Sequence, residues 1–186
     1  MLKPPLPYLL REMRPSDITQ VMGIEQVVFP TPWKASAYEY EVTRNRLAHY
    51  QVLLAQLGDQ PGILIGYAGT WTLADELHIS TIAVSKTWQG KGLGELLLLN
   101  MLTLAYQLPV TLVTLEVRRS NIVAQSLYKK YLFEIVGERR RYYESREDAL
   151  IMNAGPLNAA YRVHLKECQK ALFGRLQNEP PGGAGD

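Results

Sequence analysis

The 186-residue chain predicts one mixed α/β domain, on three observations. Strand-like and helix-like segments follow in the order β-α-α-β-β-β-α-β-α-β-β-α. At the centre, a strand, a glycine-rich turn and a long apolar helix succeed one another directly. No internal repeat and no break in composition marks a second domain. The expected parts are an N-terminal arm (residues 1–7), a domain over 8–157, a last helix over 158–177 and a disordered tail over 178–186.

Residues 8–13 read as a short strand, closed by Arg14-Pro15. Ser16 or Asp17 can cap a helix whose apolar positions Ile18, Val21, Met22 and Ile24 run toward Phe29. Phe29-Pro30-Thr31-Pro32-Trp33 is a loop, because two prolines disrupt helix and strand alike, and a second short helix covers 36–46. Strands 50–55 and 63–68 flank the turn Gly58-Asp59-Gln60-Pro61-Gly62, a hairpin signal, and a third strand spans 76–84. Beyond the glycine turn, Leu93, Leu96, Leu97, Asn100, Met101, Leu104 and Leu108 repeat at helical spacing until Pro109 stops the helix. Residues 111–117 form a β-branched strand, and Asn121 or Ser120 caps a helix to about Lys130. Stretches 133–136, 140–143 and 149–152 read as a final hairpin. Leu157, Tyr161, His164, Leu165, Cys168, Leu172 and Leu176 share one stripe of the last helix, ahead of the Pro- and Gly-rich tail.

Composition narrows the function classes. Hydrophobic content of 47% and charged content of 20% are those of a soluble globular protein. A net charge of +2 is too small to argue for DNA or a membrane surface. The single cysteine, Cys168, excludes an intrachain disulfide and suits a reducing compartment. No apolar run approaches the roughly 20 residues of a membrane span. Pro4, Pro5 and Pro7 interrupt any signal-peptide region, so the expected location is the cytoplasm.

The loop Gln89-Gly90-Lys91-Gly92-Leu93-Gly94 is the first functional signal. A strand-to-helix junction leaves the first helical N–H groups unpaired and aimed at one spot. With the helix dipole they make an anion site, and glycine lets a phosphate approach the backbone. Lys91 adds charge. A P-loop is ruled out, since no Lys-Ser/Thr follows the last glycine. The dinucleotide pattern G-x-G-x-x-G fails as well, because the glycines stand at 90, 92 and 94 behind three strands that read as a meander. Q/R-x-x-G-x-G/A fits, as Gln89-x-x-Gly92-x-Gly94; a tight turn without ligand is the alternative the loop alone leaves open.

Several separated motifs then converge. They are Arg14-x-x-Asp17 with Ile24-Glu25, Phe29-Pro30-x-x-Trp33, Ile82-Ala83-Val84, the glycine loop, and Leu115-Glu116-Val117-Arg118-x-Ser120-Asn121-x-x-Ala124-x-x-Leu127-Tyr128. Tyr142-Tyr143 followed by Glu147-Asp148-Ala149 completes the set. With these the sequence resembles the GNAT superfamily, and within it the RimI-type ribosomal-protein alanine N-acetyltransferases, over residues 9–156. The resemblance implies the GNAT fold, a mixed, mostly antiparallel central sheet flanked by helices, here with an extra C-terminal helix. It implies acetyl-CoA as cosubstrate, and no metal, between splayed strands ending at Val84 and Val117. Ile82, Ala83 and Val84 would hold thioester and pantetheine by backbone hydrogen bonds. Gln89, Gly90, Lys91, Gly92, Leu93, Gly94 and Glu95 would hold the pyrophosphate, and Asn121 would also touch the cofactor.

Acetyl transfer to an amine needs a neutral nucleophile and a proton donor for the departing thiolate. An α-amino group has a pKa of about 7.7–8.0, so a modest base acting through water is enough. A tyrosine, with a pKa of about 10, stays protonated and can supply the proton. The resemblance assigns Glu116 as base and Tyr128 as acid, with direct attack in a ternary complex. Tyr128 could instead only pack with Ala124, Leu127 and Tyr131, Glu116 could pair with Arg118 or Arg119, and Glu25 is a second candidate base.

On the acceptor side, Phe29, Trp33, Tyr142 and Tyr143 are loop aromatics that the resemblance places at the peptide entrance; hydrophobic anchoring is the alternative. Arg139, Arg140 and Arg141 read as a solvated strand edge, and His49, His78 and His164 as structural. Cys168 is expected to pack, with no His partner suggested nearby. The family commonly has Gly-Phe where this chain has Leu132-Phe133. Leu takes a left-handed cap only at a cost, so this helix is expected to end by another geometry. The stripe from Leu157 onward needs a covering surface, its own domain or a second subunit, which leaves a monomer or weak homodimer. The expected function is acetylation of a protein N-terminus, favouring the N-terminal alanine of a small-subunit ribosomal protein. A GNAT acting on lysine or a small amine, and an acyl-CoA-binding module without turnover, are the alternatives. The first would demand more of the base, and retention of Glu116 with Tyr128 argues against the second.

Overall fold

Alternating apolar residues give each face of one sheet its own core. The computed structural model describes residues 1–58 and 62–178. Along them run β1 (Tyr8–Glu12), α1 (Ile18–Val28), α2 (Ala35–Thr43), β2 (Ala48–Ala55), β3 (Ile63–Leu73), β4 (Glu76–Val84) and α3 (Leu93–Ala105). They continue with β5 (Leu112–Arg118), α4 (Ile122–Lys130), β6 (Glu134–Arg139), β7 (Ala149–Ala154) and α5 (Ala159–Asn178). The element order is the one the sequence predicts. The sheet runs β1-β2-β3-β4-β5-β7-β6, antiparallel throughout except for the β4–β5 pair.

Val113, Leu115 and Val117 of β5 enter a large core with α3, α5 and the residues just after α4. A second core on the other face takes Val21 and Ile24 of α1, Tyr38 of α2, and Tyr50, Val52 and Tyr67 of the sheet. The α3 sequence predicts one apolar stripe, yet Leu98, Leu99 and Leu102 are buried along with Leu96, Leu97 and Met101. The reason is α5: Tyr161, Leu165, Cys168, Leu172 and Leu176 join the same core and cover the side of α3 away from the sheet. Asn100, the polar member of the stripe, donates to Gln51 Oε1 and accepts from Leu2 N at 2.7 Å, which anchors the N-terminal arm. Gln51 passes its own amide hydrogen to the Leu97 carbonyl at 3.1 Å, so this buried polar group is satisfied.

Several local expectations are corrected. Asp17 does not cap α1; it pairs with Arg11 and accepts the Arg14 N–H at 2.7 Å, closing a 3-10 turn over Pro15–Asp17. Helix α3 ends at Ala105, four residues ahead of Pro109. Residues 140–143 are not a strand but part of the β6–β7 loop, where Arg141 takes φ 51° and its N–H is held by Asp148. The central residues of the expected turn, 59–61, and the tail 179–186 lie outside the described residues.

The end of α4 also differs from expectation. Leu132 does adopt the left-handed conformation, φ 60°. Phe133 N–H bonds the Tyr128 carbonyl at 3.1 Å and Leu132 N–H bonds the Lys129 carbonyl at 3.0 Å, the two bonds of a Schellman cap. Burial of Phe133, which closes this cap against the core, holds Leu132 where glycine would sit more easily. The left-handed region costs a side-chain-bearing residue roughly 1–2 kcal/mol. Leu132 is 51% exposed, so little packing is lost on removing it. Leu132→Gly should therefore stabilise the protein by about 1 kcal/mol in urea unfolding, with unchanged cooperativity.

Candidate active site

The site begins where two strands part. Strands β4 and β5 pair from Glu76↔Leu112 to Ile79↔Leu115, and the pairing ends there. Beyond it β4 stays with β3 as far as Val84, while β5 stays with β7 as far as Arg118. Backbone groups that alternate residues of the 82–84 stretch direct toward β5 are thus released from the ladder and line a slot through the sheet. A bulge at Gly69/Thr70 opposite β4 shifts its alternation, so that Ile79 and Ile82 both turn to the α3 side.

At one end of the slot lies the glycine loop. Gln89 donates to the Val84 carbonyl at 3.0 Å and ties the loop to β4. Gly90 and Gly92 take φ 80° and 76°, which only glycine adopts freely. Gly92 is the N-cap of α3 and offers no side chain to the first helical N–H groups. The Leu93, Gly94 and Glu95 amides therefore point outward together. Gly94 differs in kind: it has no left-handed φ, and an added Cβ would meet only Val84 Cγ2, at 4.0 Å. The protein's own packing therefore does not require glycine there, and the space beside the helix N-terminus is open. Lys91 lies over the Trp88 ring, 5.2 Å from its centroid. Glu95 turns its carboxylate away from the loop. It is paired with Lys130 and with Arg175 of α5 at 2.7 Å, and accepts the Tyr131 hydroxyl at 2.9 Å; these contacts outweigh burial and hold its pKa below the usual carboxylate range.

On β5, Glu116 projects from the face opposite Val113, Leu115 and Val117, into the mouth of the slot. Its carboxylate is not paired with Arg118 or Arg119, which bind Glu147 and Glu138. It sits between His78 Nε2 and Arg139 Nη1, each at 3.1 Å. Burial raises its pKa, but the His78 hydrogen bond and the neighbouring Arg139 guanidinium outweigh it, so the carboxyl is held below its ordinary range. The carboxylate is an acceptor only, so the His78 nitrogen facing it carries the hydrogen.

Tyr128 of α4 packs from the other side of the sheet, its ring 5.7 Å from Phe133 and against the large core. Its hydroxyl has no hydrogen-bond partner among the described residues. Burial, and secondarily Tyr143, raises its pKa, so it stays protonated at any physiological pH. Tyr143 lies close enough to influence Tyr128 and to feel the charge of Glu116; burial pushes its own pKa up to about 12. Arg118 stacks on Tyr143 at 3.8 Å, and Tyr142 meets it edge-on at 5.1 Å, half exposed under Arg139. Asn121 caps α4, its Oδ1 accepting the Ala124 N–H at 3.1 Å.

Across the slot, the loop after α1 brings Phe29 against the second core and stacks Trp33 on Trp71 at 6.1 Å. Glu25 underlies this loop. It accepts the Trp33 N–H at 2.8 Å and the Tyr38 hydroxyl at 2.9 Å, and the Tyr67 hydroxyl also reaches it. Burial among neutral donors raises its pKa, and its hydrogen bonds make it a buried anchor for the loop.

Of the predicted residues, the glycine loop, residues 82–84 and Glu116 lie along the strand divergence, whereas the Leu93 side chain is buried in the core and the Glu95 carboxylate is tied to Lys130 and Arg175. Missed in the sequence were His78, Trp71 and Arg139 around Glu116, and the Tyr38–Glu25–Tyr67 cluster. His78 lies 3.1 Å from the Glu116 carboxylate, a contact between two strands that the polar–apolar alternation of β4 does not reveal. Cys168 does have a histidine beside it, His164 at 3.5 Å one turn earlier. That ring faces the Lys130 carbonyl at 3.0 Å, and burial raises the thiol pKa, so the pair is inert packing.

Comparison with known proteins agrees with this geometry. The sequence pattern described as "Acetyltransferase (GNAT) family" matches residues 18–132. The chain is 38% identical over 144 residues to a putative [ribosomal protein bS18]-alanine N-acetyltransferase of Bacillus subtilis, covering 77% of this chain and 92% of that one. The fold is similar to the crystal structure of the ribosomal-protein-S18-alanine N-acetyltransferase from Escherichia coli, with TM-score 0.71 and 28% identity over 82% and 96% of the two chains. It is similar also to Arabidopsis thaliana NAA60 in complex with acetyl-CoA, with TM-score 0.69 and 19% identity over 80% and 98%. The chain belongs to the acetyltransferase (GNAT) family.

Proposed function

We propose that the protein acetylates the α-amino group of a protein N-terminus, favouring the N-terminal alanine of a small-subunit ribosomal protein. The observation that carries this reading is the convergence at one slot of Glu116 from one face of the sheet and Tyr128 from the other, with Tyr143 near both. The names of the bacterial relatives supply the acceptor. The acetyl-CoA held by a protein of the same fold, and the space left at Gly94, support the cosubstrate.

Bound acetyl-CoA supplies the activated acetyl group. Leu93, Gly94 and Glu95 offer backbone N–H groups, and Lys91 a charge, to its phosphates, with Gly90 and Gly92 shaping the turn. The released groups within Ile82, Ala83 and Val84 would offer the hydrogen bonds of a strand to its pantetheine amides, and the side-chain amide of Asn121, whose Oδ1 caps α4, would add a donor to the same cofactor. Glu116, ionised at neutral pH, takes the proton from the attacking amine, directly or through water. Tyr128 gives its Oη proton to the departing sulfur. Phe29, Trp33, Tyr142 and Tyr143 flank the acceptor's entrance. The α5 stripe is buried on α3 of the same chain, which supports a monomer or weak homodimer.

Gly94→Ala should leave thermal stability equal or slightly higher, since alanine gains up to about 1 kcal/mol of helix propensity over glycine. The added methyl should still weaken CoA binding by ~10-fold, about 1.4 kcal/mol, in calorimetry. Tyr128→Phe should lower kcat by roughly 100-fold with acetyl-CoA affinity unchanged, and wild-type turnover would rule out the acid role. Glu116→Gln should lose a similar factor near pH 7 and recover most of it as pH passes the acceptor's pKa of about 8. A CoA-release assay on short peptides beginning with Ala, Ser, Gly and Met should show activity on Ala. Activity confined to lysine or polyamines would defeat the N-terminal reading.

A further inference from the structure

Glu116 lies just past the last backbone pairing between β4 and β5, so no ladder bond fixes it relative to β4. His78 does. In the register His78 stands opposite Thr114, and Glu116 is the next β5 residue on the same face. The imidazole thus reaches diagonally over the mouth of the slot to Oε2 at 3.1 Å. The other partner, Arg139, belongs to the edge strand β6 and is 54% exposed, whereas the His78 side chain is 17% exposed.

The imidazole is itself held. Trp71 stacks on it at 5.6 Å with 10° between planes, and Trp33 stacks on Trp71 at 12°. Trp71 Nε1 donates to Glu41 at 2.7 Å, fixing the middle ring from α2. The Trp33 backbone is in turn held by Glu25. A continuous row therefore runs from the acceptor loop through Trp33, Trp71 and His78 to the Glu116 carboxylate.

We propose that His78 is a positioning residue for acetyl transfer: its Nε2–H holds the Glu116 carboxylate aimed across the slot and links it, through Trp71 and Trp33, to the acceptor loop. The inference rests on the reading of Glu116 as base. It demands a donor at the position of Nε2, not an imidazole as such. Glutamine can place its amide nitrogen there and leucine cannot.

The experiment is steady-state kinetics of His78→Leu, His78→Gln, Glu116→Gln and the double variant His78→Leu/Glu116→Gln. Acetyl-CoA and an alanine-starting peptide are the substrates, and acetyl-CoA binding serves as the check on folding. H78L should lower kcat by roughly 10- to 100-fold, the scale of a misplaced catalytic group, with KM for acetyl-CoA within about twofold. H78Q should return kcat to within about threefold of wild type, and H78L should cost less than about twofold further in the E116Q background. If H78L does not fold, His78→Asn, whose shorter amide falls short of Glu116, takes its place with the same expectation. Wild-type turnover in H78L, an equal loss in H78L and H78Q, or a full additional loss in the E116Q background would each overturn the proposal. A crippled E116Q beside an unaffected H78L would sink this inference alone. An E116Q enzyme at wild-type rate would sink the base assignment, and this inference with it.

Discussion

Strands β4 and β5 run parallel for four paired residues and then diverge, and the rest of the molecule is arranged around that divergence. Parallel neighbours need a crossover connection, here the glycine loop and α3, and the crossover brings a helix N-terminus to the end of the slot. Each diverging strand keeps its outer partner, β3 or β7, so the sheet opens without coming apart. The opening joins the two faces, between the glycine loop on one side and the α1–α2 loop on the other, as the proposed meeting of cofactor and acceptor requires. Glu116 and Tyr128 stand at the two sides of that passage.

Two carboxyls at this site show how neighbours decide protonation. Glu25 and Glu116 are both largely withdrawn from water, a condition that raises each pKa. Around Glu25 stand neutral donors, two tyrosine hydroxyls and one amide, and burial prevails. Around Glu116 stand an imidazole and a guanidinium, and the charged form prevails. The linkage signs are opposite. Glu116, with its folded pKa below the unfolded one, adds stability above the ordinary carboxylate range and loses it as pH falls through the folded value. Glu25, with its pKa raised, favours the folded state most at acid pH, and that contribution fades as pH climbs from the ordinary range to the raised value. One residue anchors a loop, and the other is held ionised beside the slot.

The last helix fills a role that residues 1–157 leave open. Covering α3 allows that helix to be apolar all round. Arg175 also reaches Glu95 in the first turn of α3, where a carboxylate suits the helix dipole. The C-terminal helix thereby braces the segment that presents the glycine loop, with Leu172 Cδ1 3.1 Å from where a Gly92 Cβ would lie.

The sequence by itself determined the order of the elements, because hydrophobic periodicity, caps and proline breaks are local properties. It also marked the glycine loop as a candidate anion site, since glycine spacing at a strand–helix junction is written in consecutive residues. Glu116, Asn121 and Tyr128 were legible because one strand–turn–helix unit carries all three. Pairings between distant segments were not legible. His78 meets Glu116 only because β4 lies beside β5, and Arg139 only because β6 returns past β7. Leu132 gives the same lesson at short range: its local preference argued against a left-handed cap, and the buried ring of Phe133 overrode it. Chain-local propensities set which residue types stand where, and the tertiary structure chose their partners, because partner choice is a property of strand register and packing between segments far apart in sequence.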